Sequence, residues 1–226
     1  MNRLNFQEIQ LNLEYAVNSR FSVFTEVPGR SIEPDTLRST AGLGDVRAGF
    51  KFALQASPDR YLTFQMRNYF PTGHADLGLG TSHYSVEPAL LYNQRISERV
   101  TLAGQFGDWH PIGGSAGLNV DPAGKPLNGG FAGDILNYGF GASYDAYSSS
   151  QFRFTPVLEA VGWSILGGDV TRTDSNSTSG ANIFNLKLGA RISTGGQSSI
   201  YIGYGRALSH VHWYHDIVRL EYRWAF

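Results

Sequence analysis

The closing stretch Val218-Arg219-Leu220-Glu221-Tyr222-Arg223-Trp224-Ala225-Phe226 decides the fold. Val218, Leu220, Tyr222, Trp224 and Phe226 fall on one side of an extended chain, and Arg219, Glu221 and Arg223 on the other. A period of two means a strand with one apolar and one polar face; no helical spacing fits it. The same alternation recurs upstream. Val46, Ala48, Phe50, Phe52 and Leu54 oppose Arg47 and Lys51, and Leu62, Phe64 and Met66 oppose Thr63, Gln65 and Arg67. Phe184, Leu186, Leu188, Ala190 and Ile192 oppose Asn185, Lys187, Arg191 and Ser193.

Applied to the whole chain, the pattern predicts eleven strands near 6–16, 21–27, 44–55, 61–70, 83–94, 100–109, 135–146, 152–163, 183–193, 199–207 and 214–226. Their connections alternate in length. Short links such as Asn18-Ser19-Arg20, Ser97-Glu98-Arg99 and Ser148-Ser149-Ser150 are interleaved with long ones near 28–43, 71–82, 110–134 and 164–182, and a moderate one at 208–213. Tight turns at one rim and long loops at the other are the layout of an up-and-down outer-membrane barrel.

Composition agrees. Charged residues are 16% of the 226, against about 25% in ordinary soluble domains. Glycine, at 27 residues, exceeds the roughly 16 expected from average usage. Aromatics reach 13% and the formal charge is −1, which excludes a disordered chain and removes the basic face that nucleic acid requires. With no cysteine there are no disulfides, thiolate metal sites or thiol nucleophiles. No apolar run approaches the about 18 residues of a spanning helix. A closed barrel resolves this, because its backbone bonds are all internal and its apolar residues need only occupy alternate positions.

Three features favour a membrane barrel over a soluble one. The polar face is rich in Arg, Lys, Glu and Gly, suiting a hydrated lumen. Trp109, Trp163 and Trp213 lie near the long-loop rim and Trp224 near the other, as interfacial aromatic girdles would. The chain ends on Phe226 behind an alternating strand, a pattern resembling the signal read by the barrel-assembly machinery. Gly139, Gly141, Gly189, Gly203 and Gly205 are expected on the inward face, leaving room for long side chains or letting the strands bend.

An odd strand count is awkward, since bacterial single-chain barrels have even counts. The reading is therefore one domain over 1–226, a twelve-stranded transmembrane barrel in its intact form, lacking here its first strand and its signal peptide. The expected location is the outer membrane of a Gram-negative bacterium, with lipid, a small-molecule solute and the assembly machinery as partners, and no cofactor.

Short motifs recur along the chain: Gly42-Leu-Gly-Asp-Val46, Pro71-Thr-Gly73, Gly78-Leu-Gly-Thr81, Val86-Glu-Pro88, Pro111-Ile-Gly-Gly114, Gly203-Tyr-Gly-Arg-Ala-Leu208 and Trp213-Tyr-His-Asp216. In these the chain resembles the MetA-pathway of phenol degradation family of Gram-negative outer-membrane barrels. The resemblance runs from about Phe6 onward and departs at the front, where the family has a further strand. It implies a transporter-like barrel for hydrophobic or aromatic compounds and carries over no catalytic set.

Candidate lumen residues follow from the alternation: Arg47, Lys51, Arg67, Glu87, Arg153, Glu159, Lys187, Arg191, Arg219, Glu221 and Arg223, with Glu14 and Asp145 beside them. They either line a polar pore or cross-link into a stiffening network. All six histidines fall at the long-loop rim, where His110, His210, His212, His215 and Asp216 form a candidate metal cluster. Polar loops also collect such residues without any metal. Two rival functions stand beside passive uptake: a hydrolase with a rim active site, and a structural or adhesive barrel. Gly113-Gly-Ser115-Ala-Gly117 matches G-x-S-x-G but lies in a loop without the strand-to-helix elbow that motif needs. His110, Ser115 and Asp216 are the residues a rim triad would draw on.

Overall fold

The computed structural model describes residues 4–34, 38–112, 133–168 and 179–226. They form one antiparallel sheet. Its strands are β1 (Leu4–Ala16), β2 (Phe21–Pro34), β3 (Thr40–Leu43), β4 (Val46–Ser57), β5 (Arg60–Phe70), β6 (Tyr84–Arg95), β7 (Val100–Ile112), β8 (Ile135–Tyr144), β9 (Tyr147–Ser148), β10 (Phe152–Ile165), β11 (Asn182–Thr194), β12 (Ser198–Ala207) and β13 (Asp216–Trp224). The main path is β1-β2-β4-β5-β6-β7-β8-β10-β11-β12-β13, with β3 paired to β2 and β9 to β10. Apart from the short side strands β3 and β9, each neighbour on the path is also the next in sequence, so the sheet is a meander.

Eleven strands on the path match the eleven expected, but the closed barrel is not found among the described residues. β1 and β13 each have a single ladder neighbour and do not pair with one another. The sheet is instead an open, curled half-barrel. Its curl brings distant strands over one face: Asn93 of β6 shares a cavity wall with Arg219, Glu221 and Arg223 of β13, and Arg223 lies within electrostatic reach of Glu14 on β1.

Strand length suits the bilayer. A strand such as β1, with 13 residues, spans roughly 43 Å at about 3.3 Å per residue, or about 30 Å along the normal when tilted near 45°. Its odd-numbered side chains are unusually open: Ile9 is 83% exposed and Leu11 70%, and at the far edge Leu220 is 74% exposed. Phe106, Phe140, Leu158, Leu188 and Ile202 continue this apolar belt. An exposed apolar face of this extent is what lipid covers in outer-membrane barrels.

One expected loop is partly sheet. Residues 28–43 are expected from the sequence to be a long connection, yet β2 continues to Pro34 along the whole of β1 and also pairs with β3. Proline is tolerated because of where it sits. β2 pairs with β4 as far as Glu26↔Arg47 and with β3 from Gly29↔Leu43, so Pro28 occupies the gap between two partners, where its missing N–H costs no ladder bond. Its carbonyl accepts from Gly44 N at 2.8 Å.

Candidate functional site

The polar face carries two ion-pair clusters on opposite walls. The first spans β1 to β6. Arg30 Nε donates to Glu8 at 2.8 Å, and Lys51 Nζ to Glu14 at 2.6 Å. Glu26, only 8% exposed, accepts from Arg47 at 3.3 Å and from Arg67 at 3.1 Å. Arg67 also reaches Glu87 at 2.9 Å, and the Tyr69 hydroxyl donates to the same carboxylate. Glu26 and Arg67 stand on β2 and β5, with β4 between them, so the contact exists because the sheet curls. Four cations meet four carboxylates here, and the cluster is neutral.

The second cluster spans β10 to β13. Glu221 receives Arg191 at 2.8 Å, Arg219 at 2.6 Å and Arg223. Glu159 and Lys187 are cross-strand opposites. Arg153 lies 3.8 Å from Asp145, which also accepts from the Thr155 hydroxyl at 2.7 Å. Arg191 and Arg219 lie over the Tyr201 ring at 5.4 and 5.9 Å. That ring lies across the cross-strand pair Gly189↔Gly203, and a Cβ at either glycine would come within 2.4 Å of its hydroxyl. Here the glycine is a space requirement. Cations outnumber carboxylates in this cluster.

Between the two walls, β7 and β8 present small or neutral side chains to the same face. A cavity of about 220 Å³ is bounded by Ala103, Gly141 and Ser143 on one side and by Glu159, Arg191 and Glu221 on the other. A second, of about 310 Å³, continues along Gln105, Gly139 and Val161. Small residues leave the space that charged residues border.

The tryptophans depart from the expected girdle. Trp109 is opposite Ile135 in the β7–β8 ladder, on the side of Ala103 and Gly141, and its indole meets Tyr69 at 6.4 Å and His83 at 5.5 Å. Trp163 pairs with the fully buried Ile183 and packs on Trp213 at 5.0 Å. Both β-strand indoles therefore face inward and form an aromatic mouth. Strand parity alone places them there, since Trp109 is in step with Ala103 along β7 and Trp163 with Glu159 along β10. Trp224 does lie on the apolar face, next to Phe226 at 5.5 Å.

Sequence reasoning missed a rim knot. Asp45 accepts from Gly73 N at 3.0 Å, Thr81 N at 2.8 Å and the Thr81 hydroxyl at 2.7 Å. Arg30 Nη1 donates to the Leu79 carbonyl at 3.1 Å, and Leu79 is buried. The loop 71–83 is thus folded onto the rim by the very motifs quoted above, Gly42–Val46, Pro71–Gly73 and Gly78–Thr81. Burial pushes the His83 imidazole below its ordinary range, and its Nδ1–H donates to the Thr81 carbonyl at 2.8 Å. Glu26, Tyr69 and Tyr201 were also missed; Glu26 sits in a strand whose charged positions are too few to draw notice.

The rim histidines separate. His110 meets Asp134 at 2.6 Å, while His212 and His215 stack at 5.6 Å and His215 meets Asp216 at 2.6 Å. Among the described residues the three ligating groups that converge are Asp108, His110 and Asp134. Ser115 and the G-x-S-x-G stretch lie outside the described residues.

Solved structures share this architecture. The chain matches the NanC porin over 100% of its own length and 97% of that chain, with 9% identity and a TM-score of 0.58. It matches the COG4313 outer membrane channel from Pseudomonas putida F1 over 99% of its own length and 83% of that chain, with 14% identity and a TM-score of 0.69. No family model matches, and no curated protein does. The chain therefore has a porin- and channel-like outer-membrane β-sheet fold. The likeness reaches the fold and not the phenol-degradation family in particular.

Proposed function

We propose that this chain is the wall of a twelve-stranded barrel in the outer membrane of a Gram-negative bacterium, and that it passes small solutes, hydrophobic or aromatic ones among them, by passive diffusion. The observation that carries the reading is the division of the sheet into an exposed apolar face and a face of paired charges flanking a neutral, cavity-lined strip. Unpaired edge groups in hydrocarbon cost several kcal/mol each. β1 and β13 run parallel to each other, being first and eleventh on an antiparallel path, so one further strand antiparallel to both closes the barrel and gives an even count.

Arg47, Lys51, Arg67, Glu87, Arg153, Glu159, Lys187, Arg191, Arg219, Glu221 and Arg223 then border the pore. The mouth indoles Trp109, Trp163 and Trp213 supply flat apolar surfaces to aromatic solutes. Membership of the phenol-degradation MetA-pathway family, and recognition of the Phe226 strand by the assembly machinery, belong to the same proposal.

The test is planar-bilayer recording on protein refolded together with its upstream strand, with and without aromatic solutes. Single-channel currents that such solutes reduce are expected, with Arg67→Ala and Glu87→Ala altering conductance or ion selectivity. Silence in the bilayer rejects transport, lipid hydrolysis favours the rim hydrolase, and a monodisperse product without detergent overturns the membrane assignment.

A further inference from the structure

We propose that Asp108, His110 and Asp134 form a binding site for a divalent transition-metal cation at the long-loop rim, on the outer face of the sheet. The ladder builds it. Trp109 is opposite Ile135, and the same register sets His110 opposite Asp134, one step past the last pair; Asp108 is two residues from His110 and shares its face. Cross-strand opposites approach to about 5 Å between Cβ atoms, which is the reach three short ligating side chains need.

The ligand atoms lie within 4.8 Å of one another, with His110 Nδ1 and Asp134 Oδ1 at 2.6 Å. Ligands around a cation with bonds near 2.0–2.1 Å stand roughly 3–3.4 Å apart, so side-chain rotations without backbone movement convert one arrangement into the other. Two carboxylates are held close together, and among the described residues no Lys or Arg pairs with either. Asp108 Oδ1 is shielded from solvent and accepts no hydrogen bond from the described residues. A dication satisfies that oxygen and removes the repulsion between the carboxylates.

The donor set selects the metal class. An imidazole beside two carboxylates suits zinc, manganese, cobalt or nickel, whereas calcium and magnesium prefer oxygen throughout. Three protein ligands leave at least one position for water. The cation joins the end of β7 to the start of β8, where the hydrogen-bonded ladder has already stopped.

Untagged full-length protein in detergent, stripped with a chelator, is titrated with zinc chloride by calorimetry. One equivalent is expected to bind, with affinity falling at least about tenfold in Asp134→Asn and in His110→Ala, unchanged in His212→Ala, and not displaced by calcium. His212→Ala controls for the other imidazole pair at the rim. Heat-modified gel mobility reports that each variant is folded, and cobalt substituted for zinc reports the coordination geometry by its visible absorption. Absence of stoichiometric binding, binding unaltered in folded Asp134→Asn, or binding lost in His212→Ala overturns the site. The readout is independent of conductance, so the site and the channel reading stand or fall separately.

Discussion

Glu26→Gln tests whether the ion-pair lattice holds the wall together. The carboxylate accepts charged hydrogen bonds from Arg47 and Arg67, whose side chains are 17% and 21% exposed. Charged hydrogen bonds contribute about 1.5–3 kcal/mol each, and breaking a fully buried pair costs about 3–5 kcal/mol. The hydrated lumen and the second partner of Arg67, Glu87 at 2.9 Å, bring the expectation down to about 2–3 kcal/mol, or roughly 30- to 150-fold in the unfolding equilibrium. Glu14→Gln, which removes the more exposed Lys51 pair, is expected to cost below about 1 kcal/mol. Adding Arg47→Met to Glu26→Gln recovers part of the loss, because it removes a cation left without its partner. Urea unfolding in lipid vesicles, followed by tryptophan fluorescence, measures all three variants. A Glu26→Gln protein within about 0.5 kcal/mol of wild type, or a Glu14→Gln protein equally weakened, refutes the reasoning.

Other outcomes follow from the same geometry. Gly203→Ala places a Cβ within 2.4 Å of the Tyr201 hydroxyl and is expected to cost about 1–3 kcal/mol; in a Tyr201→Ala background the penalty disappears, as a double-mutant unfolding cycle reads directly. Brominated acyl chains quench Trp224 and spare Trp109 and Trp163 in single-tryptophan variants; quenching of Trp109 to the same degree refutes its inward placement. Asp45→Ala removes three accepted hydrogen bonds and exposes the 71–83 loop to limited proteolysis, while the strands stay protected. Burial holds His83 below the ordinary histidine range, so the unfolded state takes up its proton first as pH falls. The stability that His83 lends the loop is therefore complete above about pH 6.5 and declines below it, which pH-dependent proteolysis measures. Glu221→Gln leaves Arg191, Arg219 and Arg223 without their shared carboxylate; reversal potentials in a salt gradient shift toward anions.

The strands were legible in the sequence because a strand's faces are set by a local period of two. Val218 to Phe226, or Phe184 to Ser193, sort themselves into an apolar and a polar side with no knowledge of the rest of the chain. Eleven strands, their order along a meander and the side on which Arg219 or Lys187 stands were therefore readable. The rim was less so. Pro28 reads locally as a break, and only the switch of partner from β4 to β3 makes it harmless.

What pairs with what was decided by tertiary structure alone. Glu26 reaches Arg67 across an intervening strand because the sheet curls, and curl is a sum of small twists over many residues that no single segment encodes. The convergence of three arginines on Glu221, the Tyr201 ring over two glycines, and the meeting of Asp134 with Asp108 and His110 depend on register. Sequence alone determined which face each residue occupies, because alternation is a property of one strand; the tertiary structure decided its neighbours on that face, because register and curvature are properties of the assembled sheet.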